Sequence, residues 1–217
     1  SQPLSSQRPS PAHFRQWGGD LDRQSVEQME TACWLPIAVR GALMPDAHVG
    51  YGLPIGGVLA TKDAVIPYAV GVDIACRVKM TVLDIPIDDF EAKQDHYRKV
   101  LEGETRFGVG ASFKVRRRHD VMDEDWTVSP TTRQNKDRAW AQLGTSGSGN
   151  HFVEYGELTV EDDRAGLARG EYLALLSHSG SRGVGALTCD YYSKRAMAAH
   201  PDLPRPMLQL AWLNLDS

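Results

Sequence analysis

Cysteine is scarce in this sequence and long apolar runs are missing, and each shortage narrows what the chain can be. Three cysteines (Cys33, Cys76 and Cys189) in 217 residues are too few and too scattered for a disulfide framework. That points to a reducing, cytoplasmic setting. No stretch of about 18 apolar residues occurs, so no membrane span is expected. The opening SQPLSSQRPSPAHFRQWGGDLD has no apolar centre of the kind a secretory signal needs. There is no Gly-Lys pair anywhere, which excludes a P-loop. Ile55 stands where the third glycine of a dinucleotide fingerprint would follow Gly50 and Gly52. The nucleophile elbow G-x-S-x-G fails twice, at Ser179 in SGSRG and at Ser148 in GTSGS. H-E-x-x-H and C-x-x-C are absent too.

What is present is an ordinary globular composition, 41% hydrophobic and 24% charged, long enough to bury a core. The net charge of −4 argues against a protein that coats nucleic acid by charge alone. Charge is nonetheless uneven: KVRRRH (114–119) abuts DVMDED (120–125). Adjacent blocks of opposite sign read as a solvated surface loop. Arg133, Lys136 and Arg138 fall in a segment, 131–142, that reads as a helix with a polar face. These cations gain meaning only if they flank a site identified on other grounds.

Residues 1–22 read as a flexible N-terminal segment, with Ser, Pro and Gln concentrated in the first twelve. A helix is expected from Ser25, where SVEQ fits a capping box and Val26, Met29 and Cys33 share a face. VKMTV (78–82) alternates like a half-buried strand. A helix fits 88–102, with Phe90, Tyr97, Val100 and Leu101 on one stripe. HFVEY and EYLALLSH read as two more strands, and 185–200 as a helix stopped by Pro201. The final MLQLAWLNLDS is apolar. It reads either as a closing element of the core or as the edge of an incomplete piece.

Four glycine-rich stretches flank expected strands: MPDAHVGYGLPIGG (44–57), GVDIAC (71–76), GTSGSGNHFVE (144–154) and SHSGSRGVG (177–185). Each carries metal-capable side chains: Asp46 and His48, Asp73 and Cys76, His151, and His178. Singly, each has a structural reading: a core histidine, a hinge, a turn cap, or a small buried thiol. Jointly they form a mixed O/S/N donor set, and a divalent cation would neutralise an acid and a thiol placed among Val and Ile. Softness favours zinc, and manganese or iron would also accept the set. Two cations sharing one thiolate would resemble the clamps used on phosphoryl groups. GTSGSGN and SGSRGVG offer free amides, and Arg182 offers a planar fork for phosphate.

In that order the four motifs resemble the RtcB family of RNA ligases, from about Met29 to the last residue. The resemblance implies an α+β fold of mixed β-sheets flanked by helices around a metal-lined cleft. It implies an enzyme using GTP and two Mn2+ ions to join RNA 3′-phosphate or 2′,3′-cyclic phosphate ends to 5′-hydroxyl ends. The route is a guanylylated histidine, in tRNA splicing and RNA repair. By motif, Asp73, Cys76, His151 and His178 would be metal ligands, with the Cys76 thiolate bridging. Asn150, His151 and Glu154 would hold the guanine nucleotide. Asp46 would serve the ligation chemistry, and Arg182 would contact RNA or its phosphate. The family's manganese displaces the zinc favoured by softness.

Residues 23–217 are accordingly expected to form the N-terminal part of an RtcB-like catalytic domain. The guanylyl-acceptor histidine has no match here, since His200, the only later histidine, lies in no similar motif; this chain alone is expected to be inactive. Ala75 and Arg77 stand where glycines are common in DIGCG. Other readings are a non-catalytic metal- and RNA-binding protein on the ligase fold, and a metal-dependent phosphohydrolase.

Overall fold

Asp22 starts the first helix: its carboxylate accepts from Gln24 N at 2.8 Å, satisfying an orphan amide of α1 (Arg23–Cys33). The cap therefore lies three residues before Ser25, which is fully buried and instead donates to Asp22 O. The structure, a computed structural model, describes residues 8–163 and 166–216. It is mixed α and β, with small sheets and helices. The chain divides into two units, Ser1–Val72 with Thr188–Ser217, and Asp73–Leu187.

In the first unit, β1 (Phe14–Gln16) runs parallel to β2 (Ala38–His48), which pairs antiparallel with β3 (Ile55–Thr61). β1 thus falls within the 1–22 stretch. The Val26–Met29–Cys33 stripe of α1 packs here: Met29, Cys33, Leu35 and Leu43 are fully buried in one apolar core. Gly41 permits that approach, because a Cβ there would run into the Met29 side chain. The C-terminal apolar segment closes the same core. A 3-10 turn at Arg205–Leu210 buries Met207 and Leu210, and β8 (Leu213–Asn214) pairs with β4 (Ala64–Val65). His200 stacks on Trp212, ring centroids 3.7 Å apart, and donates Nε2–H to the Trp212 carbonyl at 3.0 Å. The short α2 (Pro67–Val70) also belongs to this unit.

The second unit is built on an antiparallel sheet in the order β5 (Arg77–Val82), β7 (Gly170–Ser179), β6 (Phe152–Val160). The alternation predicts a half-buried β5, yet Val78 and Met80 are about half exposed (52% and 50%), since alternation marks an apolar face and not what covers it. The helix expected over 88–102 is two helices, α3 (Ile87–Ala92) and α4 (Gln94–Glu104), broken where Lys93 leaves helical geometry (φ −124°, ψ 29°). Its aromatic stripe still forms: Phe90 and Tyr97 each pack on Tyr155 of β6, at 5.3 and 5.7 Å. α5 (Pro130–Gln142) begins with a capping box between Ser129 and Thr132. α6 (Arg182–Ala199) follows β7 after two intervening residues and stops before Pro201; from Thr188 on its residues belong to the first unit.

Candidate metal centre

Strand direction assembles the site. β5 and β6 both run antiparallel to β7, and His178 near the end of β7 pairs with Val78 on one side and Phe152 on the other. The residues just before β5 (Asp73, Cys76), just before β6 (Asn150, His151) and at the end of β7 (His178) must therefore meet at one edge of the sheet. A turn closed by Cys76 N donating to Asp73 O at 3.0 Å sets the acid and thiol side by side. Ala75 occupies its left-handed corner at φ 59°, a conformation that costs a residue with a Cβ about 1 kcal/mol and explains the glycine common at this position in the resembled motif.

Cys76 Sγ lies 3.1 Å from His178 Nε2 and 3.5 Å from His151 Nε2. One donor atom from each of the three residues falls within 4.8 Å of the others. Asp73 Oδ2 is 2.8 Å from His151 Nε2, yet this buried oxygen accepts no aligned hydrogen bond. Its partner Oδ1 is satisfied by Ser181 N and Oγ at 2.9 and 3.2 Å. Gly180 allows this closeness, since a Cβ there would collide with the Asp73 carboxylate. Arg182, at φ 55°, brings a guanidinium nitrogen within 2.7 Å of His151 Nδ1. Gly147, at φ 92°, leaves room for that pair; a Cβ there would overlap the Arg182 guanidinium.

The electrostatics suit a cation-binding site. Burial raises the Asp73 pKa, but hydrogen bonds from the Cys76 thiol and Ser181 and the charge of His151 outweigh it, so the carboxyl sits below its ordinary value. The Cys76 thiol is pushed up, first by burial and then by its hydrogen bond to Asp73 and that carboxylate's charge, with Arg182 opposing. One soft donor, two imidazoles and a buried carboxylate oxygen with no hydrogen-bond partner converge at one point. A divalent ion would satisfy Oδ2 and stabilise the thiolate. The residues present fit such an ion.

Of the residues singled out from sequence, Asp73, Cys76, His151, His178 and Arg182 are brought together. Asn150 is adjacent and exposed. Glu154 lies on β6 on the His178 face, one step further along, opposite Leu176. Asp46 belongs to the first unit, exposed on β2, and its backbone carbonyl accepts from His48 Nδ1 at 3.0 Å. Sequence reading missed Ser181, which holds Asp73; its place inside SGSRG, beside His178, was the only signal.

The family model described as tRNA-splicing ligase RtcB matches residues 28–130 and 118–217. The tRNA-splicing ligase RtcB of Archaeoglobus fulgidus is 30% identical over 208 residues, covering 78% of this chain and 43% of that protein. The protein of that name from Aeropyrum pernix is 29% identical over 238 residues, covering 90% and 49%. The RNA-splicing ligase RtcB of Escherichia coli is 30% identical over 200 residues, covering 83% and 46%. The chain spans a little under half the length of these curated relatives.

Proposed function

This chain belongs to the RtcB family of RNA ligases, and from that premise we infer that it carries the metal and nucleotide site of a GTP- and Mn2+-dependent RNA ligase. The reaction joins RNA ending in a 3′-phosphate or 2′,3′-cyclic phosphate to RNA with a 5′-hydroxyl. The observation that carries this reading is the meeting of Cys76 Sγ, two histidine Nε2 atoms and the unpartnered Asp73 Oδ2.

Asp73, Cys76, His151 and His178 would hold the Mn2+ ions. Bound manganese supplies Lewis-acid neutralisation of phosphoryl oxygens. Ser181 fixes the Asp73 carboxylate by two hydrogen bonds, so its other oxygen is already aimed into the cluster. Arg182 reaches His151 from the opposite ring edge and brings a fork suited to a phosphate. Asn150, His151 and Glu154 would hold the guanine nucleotide, and Asp46 would serve the later ligation chemistry. None of the chain's histidines matches the guanylyl-acceptor motif, and His200 is engaged with Trp212.

Radiolabelled GTP tests this. With MnCl2 present, GTP is expected to be retained by the native chain and lost in Asn150→Ala, with no label surviving denaturation. Retention that ignores manganese would contradict the reading, and a labelled band after denaturation would place an acceptor within this chain.

A further inference from the structure

Between Thr105 and His119 the chain carries Arg106, Lys114, Arg116, Arg117 and Arg118 and no carboxylate. On sequence alone this is half of a charge-balanced loop. The structure organises it differently, because three of the cations lie against aromatic rings. Arg117 and Arg106 pack over Phe113, 4.4 and 5.5 Å from its centroid, and Arg116 over Trp140 at 4.8 Å. The Trp140 indole N–H donates to Arg117 O at 2.9 Å, tying the basic segment to α5. A guanidinium lying on a ring is ordered while its N–H edge stays available for a phosphate.

The same segment is joined to the metal centre. Ser146 N donates to Arg106 O at 2.8 Å and Gly108 N donates to Gly147 O at 2.7 Å, so residues 106–108 run beside 146–147. Gly147 in turn packs against Arg182 and His151. A line of positive groups thus leads from Arg182 across this short pairing to Arg106 and on to Arg117 and Arg116. Charge balance does not cancel it. Arg116 pairs with Asp137 and Arg117 with Glu104, at 2.7 and 2.8 Å, but both acids are mostly exposed and such pairs give way readily. Arg106, Lys114 and Arg118 have no carboxylate partner among the described residues. In the neighbouring acidic block, Asp125 is engaged in its own turn with Thr127.

We propose that this arginine–aromatic surface is the track along which the sugar-phosphate backbone of a single-stranded RNA end lies as it enters the Asp73–Cys76–His151–His178 cluster. The inference rests on the reading that the chain handles RNA ends. Recognition is by phosphate charge, so it is indifferent to base sequence.

The test is fluorescence-anisotropy binding of a short labelled single-stranded RNA with a 3′-phosphate, across a salt series. Arg106→Gln with Arg116→Gln, which removes two of the ring-stacked cations of the line, is expected to weaken binding on the order of tenfold near physiological salt. It should also flatten the slope of log K against log salt by about 0.7 per lost phosphate contact. Arg116→Lys with Arg117→Lys is expected to keep the slope and lose affinity, because charge survives and planar stacking does not. An unchanged slope in the glutamine variant, or tighter binding of wild type to anionic lipid vesicles than to RNA, would overturn the proposal. Cobalt(II) absorption of the same samples separates the two readings. A normal cobalt spectrum with unaltered RNA binding in the glutamine variant sinks the track and leaves the metal centre standing. An absent cobalt spectrum with salt-sensitive RNA loss does the reverse.

Discussion

The two units are filled in different ways. The first buries Met29, Leu35, Leu43 and Leu210 almost completely, and among its described residues Ser25, the one fully buried polar residue, is bonded to its own helix start. Among the described residues the second has one apolar residue of comparable burial, Leu173, and shares its other buried positions between Met122, Val160 and Ala174 and the polar Thr131, Thr145 and Ser146. Where the first unit places methyl groups, the second places an acid, a thiol and two imidazoles around an unsatisfied oxygen. Hydrophobic burial is the main stabilising contribution visible in the first. The second keeps, among the described residues, one buried carboxylate oxygen without a hydrogen-bond partner, Asp73 Oδ2, which a bound cation would satisfy.

Truncating the apolar core should produce the largest effect. Leu43→Ala is expected to cost about 2–5 kcal/mol in urea unfolding, with amide-exchange protection lost in the first unit. A loss spread evenly over both units would break the comparison. A far smaller effect, in the opposite direction, is expected from Ala75→Gly. Relieving the left-handed alanine should stabilise the second unit by a few tenths up to about 1 kcal/mol. Destabilisation there would mean the turn is not limited by its Cβ.

The elements of the second unit were largely legible in the sequence, because alternation marked its strands and the motifs sit where strands begin or end. Which residues meet followed from strand direction, which no single motif states: only the antiparallel order β5–β7–β6 carries GVDIAC, GNHFVE and HSGSRG to one edge. Two local features were misread for physical reasons. Asp22 outcompeted Ser25 as a cap because it sits one turn earlier with its carboxylate free to reach Gln24 N. The Val78–Met80 alternation implied a buried face, but alternation reports amphipathicity and not what covers it. KVRRRH looked like a solvated loop because a run of charges does not show the rings beneath it, Phe113 nearby in sequence and Trp140 on α5.

The most direct measurement is a cobalt(II) titration followed by absorption, comparing wild type with Cys76→Ser and Asp73→Asn. Wild type should develop a thiolate-to-metal charge-transfer band and release protons on binding, since the thiol starts protonated with a raised pKa. Cys76→Ser should abolish the band, and Asp73→Asn should retain it at an affinity lower by roughly ten- to a hundredfold. A wild-type chain that binds cobalt without the thiolate band, or a band that survives Cys76→Ser, would contradict a metal centre built on Cys76, His151 and His178.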